Sequence, residues 1–81
     1  MSIKEYLKKN RNQHLGALNY RTILIRQGYP NVLLGNEGHK NWKEVHRWCK
    51  EQYGEDHYTW TGSRFWFETE QDATWFAMRW A

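Results

Sequence analysis

The sequence predicts a small α+β domain in which helices pack on one face of a short antiparallel sheet containing a C-terminal β-hairpin. Three observations carry this. Alternating apolar and polar residues flank the dipeptide Gly62-Ser63, as in a hairpin with a two-residue loop. Residues 42–53 and 70–80 instead repeat their apolar positions with the period of an amphipathic helix. With 81 residues, no internal repeat and no low-complexity tract, the chain reads as a single domain over residues 1–81.

A domain this short buries only about 60% of the surface its unfolded chain exposes, which leaves a thin margin of stability. Aromatic residues make up 17% of the chain and the net charge is only +3, a balance that favours folding over disorder despite a mean hydropathy of −1.04. Bulky rings, including six tryptophans, are expected to supply the core that the scarce Val, Ile and Leu cannot. Cys49 is the single cysteine, so no intramolecular disulfide framework is possible and a reducing compartment fits. No apolar run approaches the roughly 20 residues of a membrane span, and no signal-peptide pattern opens the chain. A soluble, cytoplasmic protein is expected.

The elements follow in order. Ser2 and Glu5 have the spacing of a capping box, so a short helix is expected to begin at once, with Ile3, Tyr6 and Leu7 on one side. A second helix is expected from Gln13 to Gln27, its stripe formed by Leu15, Leu18, Thr22 and Ile25 with Leu24 beside it, and Gly28 and Pro30 supply a stop. The run from Thr22 to Ile25 also reads as a buried strand. Val32 to Leu34 is a short strand or a core-facing loop, and GNEGHK after it is a connection. Asn41 and Glu44 repeat the cap spacing and Gly54 closes the segment, which makes residues 42–53 a helix. Trp42, Val45, Trp48, Cys49 and Tyr53 form its core face, while Lys43, Glu44, Arg47, Lys50 and Glu51 occupy the solvated one.

Glycine in the first position of the Gly62-Ser63 loop suits a type II′ turn. That turn fixes the register: Thr61 opposite Arg64, Trp60 opposite Phe65, Thr59 opposite Trp66, Tyr58 opposite Phe67, and His57 opposite Glu68. Tyr58, Trp60, Phe65 and Phe67 then share a face, and Trp60 and Phe67 are expected to be buried while Thr59 and Thr61 face away. Trp66 stands on that second face among His57, Arg64 and Glu68. Thr69 caps the last helix, with Asp72 at its third position, and Ala73, Phe76, Ala77 and Trp80 form the buried stripe. Trp75 falls opposite the stripe, near Arg79. Exposed large aromatics that cluster mark partner surfaces, so Trp66, Trp75, Arg64 and Arg79 are the expected partner-binding residues.

Catalytic chemistry finds little support. Ser2 and Ser63 have no evident base, Cys49 is on an apolar face, and no two carboxylates are placed for acid and base roles, so no enzyme is expected. His46 and Cys49 are one helical turn apart and His57 or His39 would complete a metal site, but the paired ligands of short zinc sites are missing, so Cys49 reads as a packing residue. His57 facing Glu68 reads as a cross-strand charge pair. GNEGHKN has the glycines and lysine of a phosphate-binding loop but not their spacing. Neither a cofactor nor a metal is expected.

Charge is uneven along the chain. The first forty residues hold seven basic and two acidic side chains, net +5, and the remainder five basic and seven acidic, net −2. Lys4, Lys8, Lys9, Arg11, Arg21 and Arg26 are therefore the candidates for contact with nucleic acid, set against the plainer reading of a solvated face. Base stacking on the hairpin is the less favoured route, because its second face mixes Trp66 and Arg64 with Glu68.

Residues 63–81, SRFWFETEQDATWFAMRWA, consist of an aromatic strand, an acidic helix start, the step Asp72-Ala73 and a terminal Arg79-Trp80. This pattern resembles the close of various small uncharacterised proteins of tailed bacteriophages. It covers under a quarter of the chain, mostly at core positions. The resemblance implies a phage origin, a compact α+β unit and, for a phage product, the host cytoplasm; it transfers no site. The functional expectation is a non-enzymatic binding or regulatory protein directed at another protein, or at a second copy of itself, through exposed aromatics. The alternative is a nucleic-acid-binding protein that uses the basic first half.

Overall fold

The computed structural model describes residues 2–10, 20–35 and 41–81. Along the chain these form α1 (Ile3–Asn10), α2 (Tyr20–Gln27), β1 (Asn31–Leu33), α3 (Trp42–Tyr53), β2 (Tyr58–Thr61), β3 (Arg64–Phe67) and α4 (Glu70–Trp80). The class is α+β, with a C-terminal β2–β3 hairpin in a three-stranded antiparallel sheet of order β1-β3-β2. The predicted helix start at Gln13, with Leu15 and Leu18, lies outside the described residues, as does the loop after Gly35.

Local signals produce the expected local structures. The Ser2 hydroxyl accepts from the Glu5 amide at 3.2 Å and donates to the Glu5 carboxylate at 3.1 Å, which starts α1. Thr69 Oγ1 accepts from the Asp72 amide at 3.1 Å and starts α4. Asn41 precedes α3 but its side chain makes no cap bond, so the Asn41/Glu44 spacing is not a capping box here. The run from Thr22 to Ile25 is helical, and α2 ends at Gly28, whose φ of 79° turns the chain so that the following Tyr29 amide donates back to the Leu24 carbonyl at 3.2 Å. Gly62 has φ 60° and, among the described residues, no type other than glycine adopts positive φ, so the turn carries its left-handed residue in first place, as type II′ requires.

The hairpin register is the one the turn dictates, from Tyr58 opposite Phe67 to Thr61 opposite Arg64. The burial expected from it is not found at two positions. Thr59 is only 8% exposed and Trp60 is 41% exposed. The register sorts side chains by face, but it is the packing of other elements that buries them. β2 is an edge strand, which leaves Trp60 at the border of its face, and the opposite face of the hairpin is also covered.

α3 and α4 pack on the face of Tyr58, Phe65 and Phe67, where Val45, Cys49, Ala73 and Phe76 complete a core flanked by Trp42, Trp48, Tyr53 and Trp80. The stripes that periodicity assigned to these two helices are the ones that face the sheet. On the other face Ile3 and Leu7 of α1 and Ile23 and Leu24 of α2 close over Trp66. The sheet is thus the middle layer of three, and β3 at its centre has Phe65, Trp66 and Phe67 all buried. In α2 the buried residues are Ile23 and Leu24 whereas Ile25 is 55% exposed, so the stripe through Thr22 and Ile25 was out of phase. α1 is anchored to the hairpin end: Glu68 Oε2 accepts from the Ile3 amide at 2.6 Å, and the Lys4 amide donates to the Asp56 carbonyl at 3.2 Å.

Candidate functional site

The four expected partner-binding residues divide. Trp66 is 1% exposed, and its indole Nε1 donates to Thr61 Oγ1 at 2.9 Å. It is a core residue whose polar neighbours on the strand lie beneath α1 and α2. The expectation that it points outward is corrected. A partly buried Arg64 is tied to β1 through Asn31 Oδ1 at 2.6 Å and is directed away from α4. Arg79 stacks its guanidinium 4.1 Å over Trp80, not over Trp75.

Trp75 alone of the pair is outward, 53% exposed on α4, and Met78 one turn on is 77% exposed. Their phase explains it, because Ala73, Phe76 and Trp80 turn the opposite side of α4 to the core. Together they wall two adjoining depressions of about 510 and 240 Å³. Trp48 and Arg79 complete the smaller one, and Tyr53, Gln52, Gln71, Asp72 and Thr74 the larger. An apolar centre with a rim that is acidic at Asp72 and cationic at Arg79 is the result. Tyr53 is held there by donating its hydroxyl to the Asp72 carbonyl at 3.0 Å.

Of the basic residues proposed for nucleic acid, Lys8, Lys9, Arg21 and Arg26 are exposed on α1 and α2, and Arg11 lies outside the described residues. Lys4 is the one that meets an exposed ring, that of Trp60. It lies beside Tyr58 and Trp60 in a groove whose other cations come from α3, from residues that the sequence pattern assigned only to a solvated face.

The nucleophile and metal candidates are placed as follows. Cys49 is fully buried, and burial pushes its thiol up to about 12, so it is a neutral packing group at neutral pH. His57 Nδ1 lies 3.1 Å from both Glu68 oxygens, an ion pair when the ring is protonated, and the same carboxylate also holds the Ile3 amide. Among the described residues no group of three or more His, Cys, Asp and Glu is placed to hold a metal ion. None of the described helices is long and apolar enough to cross a membrane.

His46 is the titratable group with the clearest consequence. It is packed against Trp42, Trp60 and Phe65, with ring centroids at 4.7, 4.2 and 5.3 Å. Burial, and secondarily the charge of Lys4, lower its pKa below the ordinary 6.5. The neutral ring therefore contributes its full stabilisation above the unfolded value; as pH falls below about 6.5 the unfolded chain takes up the proton first and that contribution is lost through the folded pKa. The unfolding free energy is expected to decline as pH falls below about 6.5, and His46→Gln to show a shallower decline over the same range. Urea melts with identical pH slopes for the two proteins would clear His46 of the effect.

No family model, curated protein or solved structure matches the chain.

Proposed function

We propose that the chain is a small non-enzymatic binding protein that docks on another protein through the outer face of α4. The observation that carries this reading is the exposure of Trp75 and Met78 side by side over the Trp48 floor, a contiguous apolar centre with a polar rim. Interface anchors have this composition: tryptophan at the centre, methionine that adapts to the partner's shape, and arginine beside them. The rim defines the partner's chemistry. An apolar ridge would enter between Trp75 and Met78, with a carboxylate to meet Arg79 and a basic or amide group to meet Asp72. The resemblance of residues 63–81 to tailed-bacteriophage proteins supports a phage origin and a target in the host cytoplasm.

Trp75→Ala is expected to leave folding stability within about 0.5 kcal/mol, because the ring is half in solvent, and to weaken association by about 2 kcal/mol or more. The check is affinity capture from nuclease-treated host lysate with wild type, Trp75→Ala and, as a control outside the face, Lys9→Ala. A partner retained by wild type and Lys9→Ala and lost with Trp75→Ala supports the reading. Retention by all three removes α4 as the docking face, and sedimentation of the purified chain separates a foreign partner from a second copy.

A further inference from the structure

Trp60 lies in a charge environment unlike that of Trp75. It is 41% exposed on edge strand β2, and its ring meets His46 edge-on with centroids 4.2 Å apart. His46 Nε2 is itself buried without a hydrogen-bond partner among the described residues, so the imidazole acts as a packed wall that steadies the indole. In front of them runs a shallow groove of about 380 Å³ between α1, α3 and β2. Lys4 enters it from α1, its Nζ 5.9 Å from the Trp60 ring and 5.6 Å from that of Tyr58. Lys43, Arg47 and Lys50 line it from α3.

The spacing of those three residues stacks them in one row about 10 Å long on the helix. Glu44 and Glu51 come one position later in the chain, about 100° round the helix, and do not line the groove. Glu55 is the single carboxylate that does. None of the four cations pairs with a carboxylate among the described residues. Four cations gathered against one carboxylate repel one another and raise the local concentration of anions. A row of charge calls for an anion that is itself extended, and a held, half-open indole beside the row offers a face to a flat ring.

We propose that this groove binds single-stranded nucleic acid, with a base stacked on Trp60 and backbone phosphates along Lys4, Lys43, Arg47 and Lys50. A duplex keeps the faces of its bases stacked inside and has nothing to offer Trp60. A sulphated polymer or an anionic lipid surface would engage the cations and leave the indole without a role. Only a single strand uses both halves of the groove. The row spans a few nucleotides, which sets the interaction as local and tolerant of sequence.

The test is fluorescence anisotropy of the full chain with end-labelled oligothymidylate and oligoadenylate of about twelve nucleotides, and with a duplex of equal length. Single strands are expected to bind at least about tenfold more tightly than the duplex. Their log affinity should fall linearly with log salt, with a slope of about −2 to −3 for three or four phosphates neutralised. Trp60→Ala is expected to weaken binding about tenfold with the slope unchanged, and Arg47→Ala to weaken it while reducing the slope by about 0.7. Arg47 is exposed and Trp60 is at an edge, so neither change threatens the fold, and Trp75→Ala should leave the affinity as it was. Equal affinity for duplex and single strand, Trp60→Ala binding like wild type, or no anisotropy change at about 50 mM salt would each overturn the proposal.

Discussion

Replacing Trp66 with alanine is expected to destabilise the protein by about 3 to 5 kcal/mol, a large share of what a domain of this size possesses. The ring is 1% exposed and is the largest fully buried side chain among the described residues, with Ile3, Leu7, Ile23 and Leu24 closing over it. Removing it opens a cavity between the sheet and two helices, which have few other apolar contacts to hold them. It also leaves Thr61 Oγ1 without the indole donor it now accepts. Urea denaturation followed by circular dichroism measures the loss. Trp66→Phe keeps most of the apolar volume and should cost clearly less. A wild-type-like midpoint for Trp66→Ala, together with a collapse for Trp75→Ala, would reverse the assignment of core and surface argued above.

A loss of similar size, about 3 to 5 kcal/mol, is expected for Phe76→Ala on the opposite face of the sheet. Phe76 is fully buried in α4, and its ring lies 4.9 Å from Phe65, 5.1 Å from Phe67 and 6.3 Å from Trp48. It joins α4 to both β3 and α3, so its cavity is bordered by aromatic groups that cannot collapse into it without leaving their own partners. Phe76→Leu should recover most of the loss. The three-layer arrangement adds a sharper requirement. Trp66→Phe and Phe76→Leu act on opposite faces of β3 with no shared partner in their clusters, so their effects should add within about 0.5 kcal/mol. A coupling well above that would mean that the two clusters behave as one core.

These two positions also mark the boundary of what could be read before the fold was known. Phe76 was legible because helical phase places it with Ala73 and Trp80, and an amphipathic helix has one core to face. Trp66 was misplaced because period-2 alternation states only which residues share a face of a strand. Its companions Thr59, Thr61, Arg64 and Glu68 are polar, and polarity suggested solvent. Yet Thr59 is buried, Thr61 serves as an acceptor for the indole, and Glu68 turns to the Ile3 amide. Thr61 is tied to Trp66 itself, Glu68 to α1 and Arg64 to Asn31 of β1, which is how a polar strand face can carry a buried ring.

Whatever is settled within one or two turns of chain was legible in the residues alone. The Ser2/Glu5 box, the Thr69 cap, the Gly28 and Gly62 conformations, the stripes of α3 and α4 and the hairpin register all depend on groups a few residues apart. What each face meets came from the packing of distant segments. It paired β1 with β3, set α2 on Ile23 and Leu24 instead of Ile25, covered Trp66, left Trp60 at an edge, and brought Lys4 to a row of cations about forty residues away in the chain. The physical reason is that periodicity and capping are short-range, whereas burial depends on which distant surface comes to lie opposite, and in so small a chain one pair of helices is enough to turn an outer face into a core.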